Sequence, residues 1–204
     1  MIISLSGLIG SGKDTVAEML VNEHGFRRDS FAGTLKDAVA AIFGWDREML
    51  EGKTAEARAL REIADPWWSA RLGIPELSPR WVLQQFGTEV CRTHFHDDIW
   101  LASLENKLRH LSSENIVISD ARFTNELKML RSAGATTVCV SRGDKPDWWN
   151  TAVQAHTTPE AMLFMTNSGI HRSEWDWAGY HFDLHLTNNK TLADLEEKVV
   201  LLVS

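Results

Sequence analysis

An α/β fold built on a parallel sheet with helices on both faces is the class this sequence predicts, and three observations carry it. Ile2–Ser6, 115–120 and 136–141 are short apolar runs that do not alternate with polar residues, as strands buried on both faces do not. Each is followed by a segment whose apolar residues recur at helical spacing or by a change of pattern. The first run stops at Gly7 and passes through a glycine-rich turn into Thr15-Val16-Ala17-Glu18-Met19-Leu20, which is strand, glycine loop and helix in succession.

The remaining elements follow in order. A helix is predicted over 35–43, with Leu35, Val39 and Ile42 on one face and Gly44 at the C-terminal cap. From Asp46 to Pro79 charged residues and three prolines interrupt every strand-like pattern, which suggests an inserted, helical, substrate-side segment over 45–78. Helical spacing returns over 79–91, where Pro79 suits a first turn, and over 98–111, where Ile99, Ala102 and Leu108 are expected to face inward. A strand over 115–120 ends in the carboxylate of Asp120, a helix over 124–133 stops at Gly134, and a strand over 136–141 follows. Residues 143–180 are rich in Trp, Thr, Asn, Gly and His and read as a lid-like excursion. A strand near 182–186 and a helix opening on the capping-box pattern Thr191-x-x-Asp194, with Leu192, Leu195, Val199 and Leu202 as its stripe, close the chain. At 204 residues this is the length of a single domain, 1–204.

Composition narrows the function classes. With 21 Lys+Arg against 28 Asp+Glu the net charge is −7, which argues against a nucleic-acid polymer as partner and requires any anionic ligand to meet a local cationic pocket. No window approaches the roughly 18 apolar residues of a membrane span, and the N-terminus has no basic leader, so a cytoplasmic protein without a membrane partner is expected. Cys91 and Cys139 have neither disulfide nor zinc spacing and are expected to be buried thiols. Nine tryptophans supply packing or an aromatic wall for a planar ligand.

The chemistry concentrates in Gly7-Leu8-Ile9-Gly10-Ser11-Gly12-Lys13, the G-x-x-x-x-G-K part of a phosphate-binding loop in its proper strand–loop–helix context. Glycines let successive N–H groups of Gly10, Ser11 and Gly12 turn toward phosphate oxygens, Lys13 reaches the β and γ phosphates, and the helix N-terminus adds partial positive charge. Asp14 stands where a hydroxyl is usual, and the hydroxyl follows as Thr15. Beside a triphosphate this carboxylate calls for Mg²⁺; the alternative is that Asp14 only complements the helix dipole. Asp120, ending a strand, can orient Mg²⁺ or cap a turn, and Arg80 and Arg122 can clamp phosphates or form surface ion pairs. His94 and His96 with Asp97 and Asp98 lack the further ligands of a metal site and read as a helix cap. Asn188-Asn189-Lys190 lacks the Asp of a guanine-reading motif, Leu192 standing in its place, and reads as the turn before the last helix. His171, Arg172, Ser173 and Glu174 can close over a nucleotide or pair at the surface.

Gly7–Thr15 together with Phe31-Ala32-Gly33-Thr34-Leu35-Lys36, Pro79-Arg80, Gln85-Phe86-Gly87-Thr88-Glu89 and Asp120-Ala121-Arg122-Phe123-Thr124-Asn125-Glu126 resembles bacteriophage deoxynucleoside monophosphate kinases over most of the chain. The Lys-Asp-Thr form of the loop and the Asp-x-Arg-Phe-x-Asn-Glu signature are its specific parts. The resemblance implies a three-layer α/β/α fold of the P-loop kinase kind with a helical substrate-binding insertion and a lid. It implies transfer of the ATP γ-phosphoryl group to a deoxynucleoside monophosphate (dNMP) in nucleotide biosynthesis, with Mg²⁺, in the host cytoplasm. It assigns Gly10, Ser11, Gly12, Lys13, Asp14 and Thr15 to ATP, and Asp14 and Asp120 to the metal. Arg80, Gln84, Gly87, Thr88, Trp100, Asp120, Arg122 and Glu126 fall to the acceptor, Trp100 stacking on the base and Gln84 bonding it. Lys13, Asp14, Arg80, Asp120 and Arg122 would carry the chemistry, which needs positioning and charge neutralisation rather than a general base. Another small-molecule kinase, a non-catalytic ATP-binding switch and a homodimer remain open.

Overall fold

The computed structural model describes residues 1–111 and 113–203. In chain order its elements are β1 (Ile2–Ser6), α1 (Lys13–His24), β2 (Arg27–Asp29), α2 (Gly33–Phe43), α3 (Arg47–Glu51) and α4 (Ala55–Glu62). Then follow α5 (Pro66–Leu72), α6 (Pro79–Gln84), a π-helical stretch (Gln85–Thr93), α7 (Ile99–His110), β3 (Ile116–Ile118) and α8 (Thr124–Ser132). The last are β4 (Ala135–Ser141), α9 (Trp149–Gln154), α10 (Pro159–Asn167), α11 (Arg172–Trp175), β5 (Leu184–Thr187) and α12 (Leu192–Val203). They form two compact units, one of Met1–Ser30 with Lys107–Ser204, the other of Phe31–Asn106.

The first unit is the predicted α/β fold. Its sheet has the order β2-β3-β1-β4-β5 and every pairing is parallel. The apolar runs take the three central positions because only those have sheet on both sides and helices above and below. Ile3, Leu5, Val117, Val138 and Val140 pack with Val16, Leu20, Leu195 and Val199 of α1 and α12 in one core. The edge strands carry a weaker signal: β2 is the charged triplet Arg27-Arg28-Asp29, which the apolar patterning does not register, and β5 buries only Leu186. The final helix has its predicted box, Thr191 N–H donating to Asp194 at 3.0 Å and Asp194 N–H to the Thr191 hydroxyl at 3.3 Å. Residues 143–180 carry three short helices. α9, α10 and α11 enclose Ala152, Ala155, Met165, Trp175 and Ala178 as a small core of their own.

In the second unit every regular element among the described residues is helical. Val39, Leu50, Leu77 and Val82 form its core, flanked by Leu35, Phe43, Trp45 and Trp68. The α2 stripe is therefore Leu35, Val39 and Phe43, spaced by four, and Ile42 is turned out to solvent, 53% exposed. The same correction applies in α7, where Trp100, Leu104 and Leu108 are buried and Ala102, half a turn away, is exposed. Over 79–91 the α-helix gives way at Gln85 to π geometry, which shifts the faces presented by later residues. Cys139 is buried, whereas Cys91, on that π stretch, is only partly so. No helix among the described residues is long and apolar enough to cross a membrane.

Candidate active site

β1 delivers the chain to the glycine loop at the carboxyl edge of the sheet, where ligands bind in parallel α/β folds. A Cβ on Gly7 would lie 2.3 Å from the Val140 carbonyl oxygen and 2.5 Å from Ser11 Oγ, so only glycine lets the loop leave the sheet this way. Gly12 has φ +94°, and a Cβ there would meet the Asn188 amide at 2.2 Å. Asn188 Nδ2 donates to the Ser11 carbonyl at 3.0 Å and braces the loop from the turn after β5. Gly12 caps α1 without a side-chain hydrogen bond, and the buried Ser11 hydroxyl has no hydrogen-bond partner among the described residues. An anion of several oxygens is the ligand that satisfies both.

Lys13, only 7% exposed, donates from Nζ to the Leu8 carbonyl at 3.4 Å. Burial first and then the neighbouring Arg122 guanidinium hold its pKa below the usual lysine value, while Asp14 and Glu174 pull the other way. An anion on the loop would offset both by favouring the ammonium form. Asp14, in the exposed first turn, is ion-paired with Arg28 of β2, whose Nε and Nη2 also donate to Ser119 Oγ at 3.0 and 2.6 Å. Ser119 and Asp120 follow β3, and the Ser6 hydroxyl donates to the Ala121 carbonyl at 3.0 Å, fastening this turn to β1. Glu126 accepts from the backbone N–H groups of Arg122 and Phe123 at 2.8 and 3.1 Å and so shapes the turn that presents Arg122. The Arg122 guanidinium pairs with Glu174 of α11. That helix is anchored by Asp176, which accepts from Thr124 N–H at 2.8 Å and from Arg172 Nε at 2.7 Å. Beside Leu8–Ser11 lies a cavity of about 410 Å³, walled also by Arg142, Trp148, Ile170 and Glu174.

In the helical unit, Arg80, Gln84 and Thr88 are exposed at spacings of four, Arg80 and Gln84 on one face of α6. Ser78 caps that helix, its Oγ accepting from Trp81 N–H at 3.2 Å. Gly87 is buried against Leu35, where a Cβ would come within 2.7 Å of Cδ2. Trp100 is 8% exposed and its indole N–H donates to the Gly87 carbonyl at 2.9 Å, so the ring braces the π stretch that carries Thr88. Arg61 belongs to the same neighbourhood. Burial first, then Arg80, lowers its pKa, and its Nη1 donates to the Leu50 carbonyl at 3.2 Å.

The structure thus gathers Ser11, Lys13, Asp14, Asp120, Arg122 and Glu126 in the α/β unit, and Arg80, Gln84, Gly87, Thr88 and Trp100 in the helical unit. Arg28 and Arg61 carry no sequence signal, and Asn188 reads in the sequence only as part of the turn before the last helix. Arg28 lies on a strand without apolar residues, and Asn188 and Arg61 act through backbone carbonyls, which no side-chain spacing encodes. Lys36, closing the Phe31–Lys36 segment, pairs with Glu51 at 2.9 Å.

Comparison with known proteins gives a match of residues 51–199 to the model of the family described as deoxynucleotide monophosphate kinase. A protein of Acanthamoeba polyphaga mimivirus named for deoxynucleotide monophosphate kinase activity is 26% identical over 212 residues, covering 98% of this chain and 94% of its own. The deoxynucleoside-5'-monophosphate kinase of Escherichia phage T5 is 28% identical over 181 residues, 64% of this chain and 72% of that one. Among solved structures, the dephospho-CoA kinase of Campylobacter jejuni has 15% identity and a TM-score of 0.48, over 99% of this chain and 95% of that chain.

Proposed function

The chain belongs to the deoxynucleotide monophosphate kinase family, and from that premise we propose that it transfers the γ-phosphoryl group of ATP to a dNMP, releasing the deoxynucleoside diphosphate and ADP. The observation that carries this reading is the family match over 51–199, which takes in both the Arg80–Thr88 segment and the Asp120–Glu126 signature. The preceding glycine loop adds a built phosphate cradle.

In this reading Gly10, Ser11, Gly12, Lys13 and Thr15 hold the donor phosphates. For Mg²⁺, the exposed Asp14 beside the loop and Asp120 after β3 would supply the one or two carboxylates that suffice when phosphate oxygens complete the shell. When bound, Mg²⁺ would supply charge neutralisation on the donor phosphates. Arg80, Gln84, Gly87, Thr88 and Trp100 receive the dNMP, with Trp100 acting through the Gly87 backbone and Glu126 through the Arg122 turn. An acceptor phosphate oxygen attacks the γ phosphorus as the bond to the ADP oxygen breaks. Lys13 and Arg122 meet the charge spread over the transferring group, and Glu174 cedes Arg122 to it. An acceptor phosphate with a second pKa near 6 is largely ionised at neutral pH, so no side chain needs to remove a proton. The reaction belongs in the cytoplasm, where ATP and dNMP occur together.

The test is ADP formation from ATP and Mg²⁺ with dAMP, dGMP, dCMP, dTMP and their ribose counterparts, with Lys13→Ala as the blank. Turnover requiring a deoxynucleotide is expected. ATP binding without turnover on any nucleotide would move the acceptor assignment to another small molecule or to a switch.

A further inference from the structure

A phosphate loop with an aspartate directly after its lysine has an electrostatic problem. Asp14 and a polyphosphate both seek the N-terminus of α1, and as anions they repel each other there. The side chain of Asp14 is 65% exposed and sits beside the loop that would hold the polyphosphate. What the structure supplies is Arg28. One nitrogen of its guanidinium, Nη2, pairs with Asp14 Oδ1 and also reaches Ser119 Oγ at 2.6 Å, while Nε reaches the same oxygen at 3.0 Å. Ser119 is buried at the end of β3 and holds the guanidinium in place. Three elements therefore meet at one side chain: β2 carries it, β3 orients it and α1 receives it. Lys13 also senses Arg28 as a positive neighbour.

We propose that Arg28 is a positioning residue for the donor nucleotide, cancelling the charge of Asp14 and fixing its carboxylate so that the loop accepts a polyphosphate before any metal arrives. The proposal rests on the reading of residues 7–15 as the donor loop. The planar fork of arginine is what the geometry uses, since it engages a carboxylate and a hydroxyl together, which a lysine ammonium on a flexible stem does poorly.

The test is calorimetric titration of the full chain with ATP in EDTA, a measurement independent of turnover. Arg28→Met should weaken metal-free ATP binding by about fivefold, as expected for a partly exposed pair beside a polyanion. Asp14→Asn in that background should restore it to within about twofold, because the charge that needed cancelling is gone. Arg28→Lys should fall between, and Ser119→Ala, a smaller change, should weaken binding by about twofold. A purely structural Arg28 would not be rescued by Asp14→Asn. Unchanged affinity in Arg28→Met, or failure of that rescue, overturns the proposal. Absence of ATP binding in the unaltered chain overturns the donor-loop reading first, and this proposal with it.

Discussion

The polar residues around the glycine loop and those on α6 are held in opposite ways. Around the glycine loop Asp14 is matched by Arg28, Arg122 by Glu174 and the loop itself by Asn188, so the cradle is organised before a ligand comes. On α6 and the following π stretch, Arg80, Gln84 and Thr88 stand exposed on a backbone braced from behind by Trp100 and Leu35. The difference teaches that, on the proposed function, the loop would act through internal pairing and the α6 face through a rigid backbone under open side chains. Substitutions in the first should act through charge, and those in the second through affinity for the acceptor.

The largest effect is expected at Lys13. Lys13→Ala should lower kcat by about a hundredfold to a thousandfold, the usual cost of removing one transition-state charge partner, in steady-state ADP release. Unaltered kcat would break the claim that the cradle is catalytic. Next, Arg80→Ala should raise KM for the dNMP about tenfold with KM for ATP little changed. Were both constants to rise together, the division of labour between the units would be wrong. Glu174→Gln frees Arg122 without removing it, and should lower KM for ATP by about threefold. Smaller still, Asn188→Ala should raise KM for ATP about threefold by loosening the Ser11 carbonyl.

Stability sharpens the contrast within the helical unit. Burial would raise the Glu51 pKa, but hydrogen bonds from Lys36 and Arg47 outweigh it and bring the group down to about 2. A depressed carboxylate pKa stabilises the fold above the unfolded value of about 4.3 and loses that contribution as pH falls through that value toward 2. Allowing for solvent screening, this is roughly 2 kcal/mol. Urea midpoints between pH 5 and pH 3 should fall, and the Glu51→Gln variant should show a flatter profile.

The legible parts of the sequence were those where apolar burial and backbone geometry dictate residue type. β1, β3 and β4 announced themselves because strands with helices on both faces must be apolar throughout, and the loop because Gly7 and Gly12 admit no Cβ. Edge strand β2 was not legible, since its outer side meets no further strand and its residues are charged. Arg28 escaped for that reason. Helix phase is not legible at Ile42 and Ala102, because an apolar residue on the outer side of a helix looks the same in sequence as one on the inner side. The α9–α11 core was hidden because tryptophans and alanines packing across short helices leave no long periodic run.

The central claim is transfer of a phosphoryl group between two nucleotides, and the most direct measurement follows the group itself. With γ-labelled ATP, Mg²⁺ and a dNMP, chromatography should find the label in the β position of a deoxynucleoside diphosphate, in amount equal to the ADP formed. Label appearing as inorganic phosphate at a rate indifferent to the dNMP would contradict the account.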